Sequence, residues 1–136
     1  MGEGYWVKRI DEIPRVDMDP GEADWHPLQH HFALRAFGLN AFVAHEEGVE
    51  LISEHDEVAS GQEEVYLVTS GTGRFTLDGE TIDAQAGTAV IVRDPRVKRR
   101  AVAAESETTV IAIGAAPRGE FKSTWKSSHF ESVLQV

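Results

Sequence analysis

Three side chains near the middle of the chain are of types that hold metal ions or move protons: His55, Glu57 and Glu64. An imidazole and two carboxylates supply lone pairs to a hard or borderline cation, and either type can act as a general base. Tyr66 shares a face with Glu64 if the surrounding run, EEVYLVTS, is a strand, because strand side chains alternate. A second chemical cluster is basic. Arg93, Arg96, Lys98, Arg99 and Arg100 crowd into VRDPRVKRR, within a chain of net charge −10. If residues 97–103 form a strand, Lys98, Arg100 and Val102 point one way, and Arg99 and Ala101 the other. The basic run reads either as surface ion pairs with the many acids, each of small worth, or as Lys98 and Arg100 gripping a carboxylate or phosphate by charge-assisted hydrogen bonds.

These residues need a scaffold, and the pattern around them is β. From residue 48 onward, short runs rich in Val, Ile, Thr, Phe and Tyr alternate with turn signals: VELISE, EEVYLVTS, GRFTLDG, ETIDAQ, GTAVIVR, VKRRAVAA and TTVIAIGA. AFGLNAFV, residues 36–43, has the same alternation. Asp78-Gly79 is a two-residue hairpin signal, because both turn positions require positive φ. Gly71 and Gly87 mark further tight connections. Many short antiparallel strands without a long helical pattern predict an all-β closed barrel or double-sheet jelly roll, which disposes of exposed sheet edges. Outside this core the sequence predicts an edge strand at YWVKRI, a short helix over 27–34, and a short final helix capped by Ser127 or Ser128, with its apolar side on the barrel or on a neighbouring chain. His26, His30 and His31 read as surface residues, with His26 outside the helix because Pro27 follows it.

The spacing of Gly48, His55, Glu64 and Gly71 resembles the first motif of the cupin superfamily, G-x5-H-x-H-x3–4-E-x6-G. The segment from Gly87 through TAVIVRDPRVKRRAV resembles the second, G-x5-P-x-G-x2-H-x3-N. The resemblance implies one conical cupin-type barrel with a pocket at its mouth, a core over about 36–115, an N-terminal arm (1–35), a C-terminal tail (116–136) and a homodimer. In metal-bearing members two His, a Glu and a third His hold one Mn, Fe, Ni, Zn or Cu ion. Glu64 falls on the family's Glu. His55 falls one residue late for the first His, and Glu57 stands at the second. Counted back from Glu64, the two His positions fall on Val58 and Ser60 instead. In the second motif Arg93 stands for Pro, Pro95 for Gly, Lys98 for the last His and Val102 for Asn. An ammonium in the place of a ligand has no lone pair and repels a divalent cation. The expectation is therefore an internal Glu64–Lys98 pair, no cofactor and no resident metal, with His55, Glu64, Tyr66, Lys98 and Arg100 binding a small anion. The alternative is a metal-dependent oxygenase or isomerase on His55, Glu57 and Glu64.

Composition excludes much else. With no cysteine there is no disulfide framework, thiolate nucleophile or Cys-ligated metal. The acidic balance argues against nucleic acid and anionic membranes as partners. The N-terminal MGEGYWVKRIDEIP lacks a signal-peptide core, so a cytoplasmic protein is expected. Gly71-Thr72-Gly73 precedes no helix and is no nucleotide fingerprint.

Overall fold

The computed structural model describes residues 4–119 and 121–136. Among the described residues, nine strands form two antiparallel sheets. They are β1 (Asp24–His26), β2 (Gly38–Ala44), β3 (Glu50–His55), β4 (Glu63–Ser70), β5 (Thr72–Leu77), β6 (Glu80–Gln85), β7 (Ala89–Val92), β8 (Arg99–Ala103) and β9 (Thr108–Ala115). One sheet has the order β1-β2-β9-β4-β7 and the other β3-β8-β5-β6. The inner faces follow the period of two. On β9, Thr108, Val110, Ala112 and Gly114 are buried; on β8, Arg99, Ala101 and Ala103. Together with Tyr66, Val68, Phe75, Val90 and Val92 they fill the space between the sheets. The all-β double-sheet architecture is the one the turn spacing predicts.

Two glycines shape the frame. Gly71, at φ +68°, is where the chain leaves one sheet and enters the other; a Cβ there would come 2.8 Å from Thr108 Cα. Asp78-Gly79, both at positive φ, closes the β5–β6 hairpin as expected, with Leu77 opposite Glu80.

The periphery departs from the sequence reading. Tyr5 to Arg9 form no strand, and a 3-10 turn follows at Ile10–Glu12. The helix is a single turn, α1 (Leu28–His31), because Ala33 already takes positive φ. Among the described residues of the C-terminus only a 3-10 turn forms, Ser127–Phe130, and Phe121, Trp125 and Leu134 stay exposed. His26 is buried, because it pairs with Ala41 on β2 and its Nδ1 lies 2.9 Å from the Ile13 carbonyl. Among the described residues no helix is long and apolar enough to cross a membrane.

Candidate functional site

The site lies where β3, β4 and β8 converge. Glu64 and Tyr66 are on the inner face of β4, as alternation requires. The register of β8 places Arg99 opposite His55 on β3 and opposite Leu77 on β5. Arg99 is therefore the basic residue that enters the barrel, and its side chain has no solvent exposure. This corrects the expected register. Lys98 is exposed and is tied by its backbone N–H to Asp78 Oδ1 at 2.8 Å. Arg100 turns outward and donates to Glu50 Oε2 at 2.8 Å. The expected Glu64–Lys98 pair does not form; Glu64 pairs with Arg99. The cause is one residue of strand parity: small apolar Ala101 and Ala103 fit the interior and carry Arg99 in with them.

His55 reaches the site through an irregular strand. β3 shifts register between Glu50 and Ile52 and again between Ile52 and His55, so Leu51 and Ile52 are both buried. The segment 56–62 then folds into a turn in which the Gly61 N–H donates to the Glu57 carbonyl and the Glu57 N–H to Pro95. This turn absorbs the extra residues between Glu57 and Glu64 and returns both carboxylates to His55.

Glu64 Oε1 is the hub. It accepts from Arg99 Nη1 at 2.9 Å and from the Tyr66 hydroxyl at 2.6 Å, and His55 Nε2 lies 3.4 Å away. His55 Nε2 also meets Glu57 Oε1 at 3.0 Å, and Nδ1 faces the Ser53 carbonyl at 2.8 Å. Both ring nitrogens thus face acceptor oxygens. Ser60 Oγ donates to Glu57 Oε2. No hydrogen bond among the described residues engages Glu64 Oε2. Burial, reinforced by the neighbouring Glu64 carboxylate, pushes the Tyr66 hydroxyl far above the usual phenol range, so it stays a donor. Gly114, opposite Glu64 on β9, supplies room: a Cβ there would lie 3.0 Å from Glu64 Cγ.

The cluster opens into a cavity of about 1010 Å3. Trp25, Phe42, Leu51 and Ile52 form an apolar wall, with the Trp25 and Phe42 rings 6.0 Å apart and the indole N–H held by Asn40 Oδ1 at 2.8 Å. Glu22, Glu47, Glu50, Glu57 and Glu64 line the rest. Neither Lys98 nor Arg100 reaches it. The sequence reading did not assign Arg99 or the aromatic wall. The signal for the wall was present, since alternation in AFGLNAFV puts Asn40 and Phe42 on one face.

No family model matches the sequence, and no curated protein does. Solved structures do match in fold. The chain is similar to a sugar phosphate isomerase of the cupin superfamily from Silicibacter pomeroyi, with TM-score 0.65 and 18% identity over 82% of this chain and 76% of that one. This is a cupin fold. KdgF from a Halomonas species is similar at TM-score 0.61 and 18% identity, over 79% of this chain and 90% of that one. Pac13, a nucleoside dehydratase from Streptomyces, is similar at TM-score 0.59 and 16% identity, over 84% and 85%.

The cupin fold raises the question of a metal. His55, Glu57 and Glu64 bring three donor atoms within 4.8 Å of one another. One neighbour opposes a divalent ion there, the buried Arg99 guanidinium. An ion about 2.1 Å from Glu64 Oε1 would lie no more than about 5 Å from Arg99 Nη1, since that nitrogen is 2.9 Å from the same oxygen. At an effective dielectric constant of ~20, a divalent ion and a guanidinium about 5 Å apart repel by roughly 7 kcal/mol.

Proposed function

We propose that the chain binds a small molecule in its barrel without a metal, and that this molecule is uncharged or cationic. The observation that carries this is the state of Glu64. One carboxylate oxygen is held by Arg99 and Tyr66 beside His55, which leaves Oε2 to accept from a ligand hydroxyl, amine or amide. The apolar wall of Trp25 and Phe42 suits a flat ring or a cation over an aromatic face. Five carboxylates line the cavity, no Lys or Arg does, and the buried Arg99 behind it is already paired with Glu64. An anion would enter against that field. This revises the sequence-based expectation of an anionic ligand, which relied on Lys98 and Arg100 facing inward.

The fold relatives support a small-molecule pocket. Pac13 is known in complex with uridine, an uncharged nucleoside. The sugar phosphates named for other relatives are anions, and the acidic lining here disfavours them. If the ligand reacts, Glu64 Oε2 is the group placed to take a proton from it, with Tyr66 and Arg99 steadying the other oxygen.

The test is thermal-shift and calorimetric titration with uridine, neutral monosaccharides and their phosphate esters, alongside elemental analysis of the untagged protein. Uncharged compounds should stabilise the fold, and Glu64→Gln should abolish the effect. Preferential stabilisation by phosphate esters, or a near-stoichiometric transition metal, would overturn the reading.

A further inference from the structure

We propose that Arg99 is the built-in counter-cation of this cluster, and that His55, Glu57 and Glu64 form a divalent-metal site held shut by it. The inference rests on the metal-free reading above. Two mostly buried carboxylates and His55, from two strands and a turn, bring donor atoms within 4.8 Å of one another, and the carboxylate charge there needs an offset. Arg99 supplies that offset. Its side chain is fully buried, and Nη1 is on Glu64 Oε1 at 2.9 Å. Its remaining contacts are poor: Nη2 reaches the Asp94 carbonyl only at 3.5 Å, and the buried Nε has no partner among the described residues. A guanidinium so incompletely satisfied is placed for its charge toward Glu64 and not for a hydrogen-bond network of its own. His55 and Glu57 are oriented independently of it, by the Ser53 carbonyl and by Ser60 and Pro95. Removing the charge at position 99 therefore releases Glu64 Oε1 from the guanidinium and removes the repulsion while leaving two of the three donors in place. An imidazole there adds a fourth donor.

The experiment uses the full chain as wild type, Arg99→Gln and Arg99→His, each stripped with chelator and titrated with Mn2+ and Zn2+ by calorimetry. Wild type should take up neither ion at tens of micromolar, as an order of magnitude, while both variants bind one ion about 100-fold tighter or better. Adding His55→Ala to Arg99→Gln should cancel the gain. Arg99→Gln removes the charge while keeping a polar, unbranched side chain, so it carries the test if Arg99→His does not fold alone. A folded spectrum restored by one equivalent of Zn2+ also supports the proposal. Folding lost in both variants and restored by no ion overturns it, as does binding no tighter than wild type. If wild type itself binds one ion tightly, the metal-free reading falls. If wild type stays empty and neither variant gains, that reading stands and the role given to Arg99 falls.

Discussion

Replacing Arg99 by methionine should be among the most damaging single substitutions in the barrel. The side chain has no exposure and its partner Glu64 is only 11% exposed, so solvent does little to screen the pair. Methionine keeps most of the length but no charge. Glu64 would then sit inside the protein with Tyr66 and His55 as its remaining neighbours on Oε1. Breaking one side of a buried ion pair costs about 3–5 kcal/mol. For 136 residues at ~2.1 cal/mol/K each, the unfolding entropy is roughly 0.29 kcal/mol/K, so the melting temperature should fall by about 10–17 °C. Urea denaturation and calorimetry read both quantities. The double variant Glu64→Met with Arg99→Met should recover much of the loss, because the orphaned charge is gone along with its partner. A cost below about 1 kcal/mol for Arg99→Met, or a double variant worse than the sum of its parts, would refute the view that Glu64 depends on Arg99.

Three further outcomes are expected. Tyr66 has its ionisation pushed upward by burial and by Glu64; stability from that hydroxyl is complete below the unfolded phenol value near ~10 and falls above it, by about 1.4 kcal/mol per pH unit. Tyr66→Phe should remove this component from the alkaline limb of the denaturation curve; an unchanged difference between the two proteins would refute it. Gly114→Ala would put a methyl 2.6 Å from Gln62 Oε1 and 3.0 Å from Glu64 Cγ, so it should cost about 1–3 kcal/mol and abolish the thermal shift of any pocket ligand. His45, hydrogen-bonded to Asp24 and then Glu107, is raised above its usual value. Its stabilisation is present below about 6.5 and lost as pH rises beyond it; with the ring 56% exposed it should amount to no more than about 1 kcal/mol, read as the His45→Ala difference across that range.

Much of the barrel was legible because its signals are local. Alternation, Asp78-Gly79 and the spacing of Gly71 and Gly87 each depend on a few neighbouring residues. The same alternation placed Tyr66 on the face of Glu64, and their hydrogen bond at 2.6 Å follows. The terminal elements were misread for a related reason. YWVKRI and the Phe130–Leu134 stretch have strand-like or helix-like composition, but regular structure there needs a packing surface, and the side chains stay exposed.

The chain's own residues therefore determined eight of the nine strands described (β2 to β9), the hairpins, the acidic balance and the chemical types available at the centre. Tertiary structure decided which of those types meet. Side chains on a strand alternate, so an error of one residue in where β8 begins exchanges its faces, and Lys98 with Arg100 trades places with Arg99. That choice is made by the pairing of β8 with β3 and β5 and by what the interior accepts, which are contacts between residues more than twenty apart in sequence. The irregularities of β3 and the turn over 56–62 likewise bring His55 and Glu57 to Glu64 by geometry that no local pattern encodes.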